Sequence, residues 1–395
     1  MWLCPVYKSP NDDNGYDISD YFDIMDEFGT LEDWKNLLNK MHGLGIKMIM
    51  DLVANHTSDE HAWFLESRKS KDNPYRDYYI WRDGKGKNPP NAWGSVFGFQ
   101  AWQYDGETDQ YYMHLFSRKQ PDLNWENGKV RSEIYRMMKF WLDMGIDGFR
   151  LDAIRDIGKP DSFETDDPLY EPDIRKTHRY LQEMNREALS KYDVMTVGEV
   201  SGTSPAGASL FTAENRHELN MLFHFEHMGL DGEKWNPHGI CLTDLKRVMS
   251  AWQTELPEDA WVALYLDNHD QPRMVSRFGN DGRYREESAA LLATMLHTMR
   301  GTPFIYQGDE IGMTNVDFRS SEEFRDVETL NKIKEYTEQD GGSFEKLLPA
   351  LKYRSRDNAR TPMQWDSSEN AGFTSGTPWI RLNSNYREIL SLIHI

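Results

Sequence analysis

Apolar residues recur three or four apart at Leu31, Trp34, Leu38 and Met41, the spacing of one helical face. The run stops at Gly43 and Gly45 before an apolar stretch, IKMIMDLV (46–53). The same order returns twice. Val130, Ile134, Met137, Trp141 and Leu142 lead through Gly145 into DGFRLDAI (147–154), and Leu291, Leu292, Met295 and Met299 lead through Gly301 into TPFIYQGDE (302–310). Helix, glycine and a short apolar run with a polar tip make the αβ half of a βαβ unit, so the pattern predicts parallel strands. Seven are predicted, over 2–7, 46–53, 147–153, 194–200, 219–226, 261–267 and 303–308.

The strand tips carry the chemistry. DLVANH (51–56), DGFRLDAI, TVGEV (196–200), YLDNHD (265–270) and IYQGDE (305–310) all end in polar, titratable residues. Alternation along a strand puts Arg150 and Asp152 on one face, so a guanidinium and a carboxylate emerge together. A doubly wound sheet gathers its ligand at one switch point, whereas polar tips on nearly every strand suit an α/β (β/α)8 TIM barrel with its site at the carboxyl ends. An eighth strand is not found and the chain opens directly on a strand, so a barrel lacking its first βα unit is predicted. About seventy residues separate the second strand from the next helix, too many for a loop. Their WGSVFGFQAWQYD and QYYMHLFS stretches predict a small inserted β-rich subdomain. The expected division is therefore 1–56 and 128–390 for the barrel and 57–127 for the insertion.

A net charge of -20 over 395 residues excludes nucleic acid and anionic membranes as natural partners, since both need a basic surface. No stretch reaches eighteen apolar residues and no signal-peptide pattern follows Met1, so neither a membrane span nor secretion is predicted. Cys4 and Cys241 give no disulfide framework, and a reducing, cytoplasmic location is expected. No His/Cys cluster has zinc spacing and no glycine-rich phosphate loop follows a strand. The final six residues, LSLIHI (390–395), read like translated sequencing adapter and are expected to be a non-native tail.

Eight collinear stretches carry a resemblance: GYDISDY (15–21), DLVANH, QPDLNWEN (120–127), GFRLDAI, VGEV, NHDQPR (268–273), QGDEIGMTN (307–315) and SRDNARTPMQW (355–365). Together they resemble the α-amylase family of glycoside hydrolases, and QPDLN points to its oligo-1,6-glucosidase, dextran glucosidase and α-glucosidase group. The resemblance implies a catalytic barrel, an inserted subdomain after the third strand, and a C-terminal β-domain that this chain would lack. It implies retaining, exo-acting hydrolysis of short α-glucosides such as isomaltose, with Asp152 as nucleophile, Glu199 as acid/base and Asp270 as transition-state stabiliser. His56 and His269 match histidines that bind sugar hydroxyls. Asp13 and Tyr16 match the aspartate and tyrosine that hold the terminal glucose, Arg356 matches the partner of that aspartate, and Phe97, Phe116 and Gln120 would line the boundary between the first two subsites. Arg150 is expected to keep Asp152 ionised, and a drier wall to keep Glu199 protonated.

No cofactor is required by this chemistry. Relatives can hold calcium in an acidic loop after the first strand, which would precede Met1, so no metal site is expected in this chain. The expected partner is a small oligosaccharide, and a monomer is expected. Within the resembling group Val after the nucleophile goes with α-1,6 preference and Thr with α-1,4; Ala153 stands there and leans to a broad or 1,6 preference. Sucrose isomerases share the scaffold but carry an arginine-rich stretch where this chain has EHMGLDGEKW (226–235), which favours hydrolysis. Two further readings are a non-enzymatic relative and a truncated chain without activity; the three acids Asp152, Glu199 and Asp270 argue against the first.

Overall fold

Trp2–Leu3 (β1) begins a parallel sheet in the computed structural model of the chain, which describes residues 1–393. The strand predicted over 2–7 is interrupted. Pro5 has no N–H for a ladder, and beyond it Tyr7–Lys8 (β2) pairs antiparallel with Asp20–Ile24 (β3). Thr30 caps the next helix, Leu31–Gly43 (α1): its hydroxyl accepts the Asp33 N–H while the Asp33 carboxylate accepts the Thr30 N–H. Trp34, Leu38 and Met41 form its buried face. The chain then enters Ile49–Val53 (β4), buried at every position as a strand covered on both faces must be.

Between β4 and the next parallel strand lie Ala62–Ser67 (α2) and a three-stranded antiparallel sheet of Trp81–Arg82 (β5), Trp102–Asp105 (β6) and Gln110–Met113 (β7), in the order β5-β7-β6. Ile80, Trp93, Trp102, Met113 and Leu115 give it a separate apolar core, closed by Phe163. Gly128–Asp143 (α3), Gly148–Asp152 (β8), Ile174–Glu187 (α4), Met195–Glu199 (β9), Pro205–Thr212 (α5) and Met221–Phe223 (β10) follow. The parallel strands run β1-β4-β8-β9-β10, and these elements with Pro257–Trp261 make one compact unit.

The second unit takes Phe225–Leu256 and the chain from Val262 onward. It holds a short hairpin, Gly232–Glu233 (β11) and Asn236–Pro237 (β12), then Leu242–Thr254 (α6), Val262–Leu264 (β13), Met274–Phe278 (α7), Arg285–Thr298 (α8), Thr302–Pro303 (β14), Val327–Lys334 (α9) and Phe344–Arg354 (α10). β13 and β14 pair in parallel. The strand predicted over 303–308 is only Thr302–Pro303, since the proline cannot donate to a ladder; one further bond, Phe304 N–H to Leu264 O at 2.8 Å, extends the contact. The inner face of α8 is also corrected. Ser288, Leu292 and Leu296 are buried, whereas Leu291 is 68% exposed. The units part at His224 and around residues 257–261. Of the tail read as foreign, residues 394 and 395 lie outside the described residues.

Candidate active site

Strand register decides what Arg150 meets. β4 and β8 set Asp51 opposite Arg150, and β8 and β9 set Leu151 opposite Gly198, leaving Glu199 one step further along β9. Arg150 Nη1 donates to Asp51 Oδ1 at 2.8 Å and to Asp152 Oδ1 at 2.6 Å, while Nη2 pairs with Glu199 Oε1 at 2.8 Å. The guanidinium is buried and lies over the Trp2 indole, 4.9 Å from the ring centre. The second Asp51 oxygen accepts from Trp2 Nε1 at 2.8 Å and from the Tyr16 hydroxyl at 2.9 Å. One cation is thus divided among three carboxylates.

That division bears on the protonation of Asp152. Burial pushes the Asp152 carboxyl well above its ordinary range; Arg150 pulls it down, but the negative charges of Glu199 and Asp51 add to the rise. Arg150 thus favours the Asp152 anion against burial and two neighbouring carboxylates. Both Glu199 oxygens accept from N–H groups, Oε1 from Arg150 and Oε2 from the Ala153 backbone at 3.2 Å. To present that N–H, Ala153 adopts a left-handed conformation at φ 41° and ψ 35°, costing about 1–2 kcal/mol for a residue with a Cβ. The residue after Asp152 is thereby a hydrogen-bonding element of the site.

A second group sits in the same unit. His56 Nε2 is 3.2 Å from the Tyr16 carbonyl and 3.2 Å from Gln120 Nε2, and the same Gln120 amide donates to Asp13 Oδ2 at 3.0 Å. Burial pushes the His56 imidazole down to about 4, so it is neutral at pH 7. Its ring packs 5.1 Å from Phe116, which meets Phe97 edge-on at 5.5 Å. Asp13, Tyr16, His56, Phe97, Phe116 and Gln120 are therefore brought into one connected cluster.

The second unit carries its own. The Asn268 side chain accepts the Asp270 N–H at 2.8 Å, and His269 Nε2 lies 3.2 Å from Asp270 Oδ2. Asp270 Oδ1 accepts from Arg356 Nη1 and from Arg360 Nη2, each at 2.9 Å. Burial would push this carboxyl up, yet His269, Arg356 and Arg360 outweigh it and hold Asp270 well below the usual range. Buried Asp326 steadies both arginines, 2.6 Å from Arg356 Nη2 and 3.3 Å from Arg360 Nη1. Sequence reasoning missed Asp51, Asp326 and Arg360. Arg360 was in view as the second arginine of SRDNAR; Asp51 needed the β4–β8 register. Among the described residues no set of three or more His, Cys, Asp or Glu side chains is arranged to hold a metal ion, and no helix is long and apolar enough to cross a membrane.

Comparison with known proteins identifies the family. Residues 1–393 match the alpha-amylase catalytic domain. The oligo-1,6-glucosidase of Parageobacillus thermoglucosidasius is 62% identical over 402 residues, covering 98% of this chain and 72% of that protein. The oligo-1,6-glucosidase of Bacillus cereus is 58% identical over 401 residues with the same coverage. Among solved structures, an isomaltulose synthase variant from Erwinia rhapontici NX5 in complex with D-glucose superposes with a TM-score of 0.95 at 44% identity, covering 99% of this chain and 72% of that one. The parallel α/β order of strands and the motifs of its tips thus have one explanation: the chain belongs to the alpha-amylase family of glycoside hydrolases.

Proposed function

We propose that this protein is a retaining, exo-acting α-glucosidase that removes terminal glucose from short α-glucosides, with isomaltose-type substrates foremost. The observation that carries the reading is the sharing of Arg150 by Asp152 and Glu199 at 2.6 and 2.8 Å, which places two acids from neighbouring strands beside one another. Retaining glycosidases keep their two carboxyls about 5–5.5 Å apart, so that one attacks the anomeric carbon directly.

In the first step an Asp152 oxygen bonds to the anomeric carbon as the glycosidic C–O bond breaks, and Glu199 gives its proton to the departing oxygen. In the second, water attacks the same carbon, loses a proton to Glu199, and the bond to Asp152 breaks. Two inversions leave the α configuration. Developing positive charge on the sugar favours the Asp152 anion, so the proton of this acid cluster resides on Glu199 when bond breaking begins. His56, Asp13, Tyr16 and Gln120 bind the terminal glucose, and Phe97 and Phe116 line its edge. Asp270, held anionic by two arginines, accepts sugar hydroxyls with His269 beside it, and Arg356 fixes its orientation.

Turnover of isomaltose, panose, maltose and sucrose by the wild type and by Asp152→Asn tests the scheme. Hydrolysis with retained configuration is expected for the wild type, and none for the variant on any substrate. Undiminished turnover by Asp152→Asn would remove it as the nucleophile. Isomaltulose or trehalulose as the main product from sucrose would overturn hydrolysis in favour of isomerisation.

A further inference from the structure

The segment from Ser9 to Asp17 carries Asp13 and Tyr16 without any helix or strand of its own. It passes through three left-handed residues, Asn11 at φ 66°, Asn14 at φ 50° and Gly15 at φ 93°. Such a backbone persists only where its surroundings hold it. Gly15 is there because a Cβ would lie 2.9 Å from the Pro5 carbonyl oxygen.

The hold comes from Asp17, which is fully buried. Its Oδ1 accepts the Asp13 N–H and the Ser9 hydroxyl, each at 3.0 Å, and its Oδ2 accepts the Asp12 N–H at 2.9 Å. The Tyr16 N–H returns to the Asp13 carbonyl at 3.0 Å. On its other side the loop is tied to the inserted segment. The Ser117 hydroxyl donates to Asp12 Oδ2 at 2.7 Å and the Ser117 N–H to Gln120 Oε1 at 2.9 Å, so Gln120 reaches Asp13 from a fixed position.

We propose that Asp17 is a positioning residue for sugar recognition, its carboxylate gathering the backbone from which Asp13 and Tyr16 hold the terminal glucose. The inference rests on the α-glucosidase reading above. Three donors on two oxygens favour the ionised carboxylate, because protonation turns one acceptor site into a donor and weakens the remaining ones. Burial pushes Asp17 up to about 6 in spite of those three bonds, and the negative charge of Asp13 adds to the rise. The other charges around the loop include Asp12, with Asp59 and Lys119 of the neighbouring segments in its field, Glu60, which pairs with Lys119 at 3.5 Å, and at the Tyr16 end Asp51, Asp152 and Arg150. Glucose binding is therefore tightest above pH 6 and weakens as pH falls through that value.

The test compares the full chain with Asp17→Asn, Asp13→Asn and the double variant, using isomaltose kinetics and amide hydrogen exchange. Asp17→Asn keeps the shape and surrenders one acceptor; KM is expected to rise about tenfold with kcat changed less, as losing one or two bonds to a charged group implies. The double variant is expected to exceed Asp13→Asn in KM by less than the Asp17→Asn factor, since the part of the Asp17 effect that runs through Asp13 is already lost. The ratio of the two KM values should shrink towards one as pH falls below about 6. Exchange at the Asp12 and Asp13 amides should quicken in Asp17→Asn while protection of β4 and β8 stays. Ser9→Ala, which removes one donor, should raise KM in the same direction by less. Additive effects in the double variant, or unchanged exchange at both amides, would overturn the inference alone. A wild type that hydrolyses no α-glucoside would remove the reading beneath it.

Discussion

Asp51 touches no substrate in the proposed scheme, yet it sets the electrostatics of the residue that does. It takes one of Arg150's three hydrogen-bonded carboxylate contacts and adds a negative charge close enough to raise Asp152. Replacing it by Asn removes that charge and leaves more of the guanidinium for Asp152 and Glu199. Both changes favour the Asp152 anion, so the acid limb of kcat/KM should move to lower pH by about one unit. A pH–rate profile decides the matter, and an acid limb displaced upward would show that Asp51 acts in some other way. The arrangement explains why a lone Arg-x-Asp spacing was an incomplete guide. It revealed that Arg150 and Asp152 share a face, but the charge balance depends on Asp51 and Glu199, which are 99 and 49 residues away from Arg150 in the chain.

Elements place these residues through close backbone approach. Strand β8 can lie against β9 because Gly148 has no side chain: at φ 146° a Cβ would sit 1.8 Å from the Met195 carbonyl oxygen. Gly148→Ala should force the strands apart at the end opposite Asp152 and Glu199, with a loss above about 4 kcal/mol in the exceptional range for a single substitution. Urea unfolding measures it, and a cost below about 1 kcal/mol would mean the register can slip without penalty. Helix periodicity was a sound guide where one face alone is covered, as in α1. It failed in α8, where the buried residues step by four through Ser288, Leu292 and Leu296 and Leu291 is left outward. A run of adjacent apolar residues does not say which of them faces inward.

For the molecule as a whole, a net charge of -20 repels anions but leaves a neutral sugar unaffected. Salt from about 0.05 to about 0.5 M, which shortens the Debye length from roughly 14 to 4 Å, should therefore change kcat/KM on isomaltose by less than twofold. Initial rates across that series check it; a steep fall would point to a charged substrate. The scale also shows how the chain is divided. Its first unit is discontinuous in sequence, Pro257–Trp261 returning to it after Phe225–Leu256 has entered the second.

The sequence by itself determined the order of the parallel strands, three of the helices before them, the glycines between, and the acids at the strand tips, because these follow from local periodicity and from short motifs. Tertiary structure alone decided which carboxylates share Arg150, which carboxyl burial raises, that Ala153 turns left-handed to reach Glu199, and that Asp17 holds the loop of Asp13 and Tyr16. Hydrogen bonds and charges act over a few ångströms in space, and residues far apart in the chain come within that range only when strand register and packing bring them there.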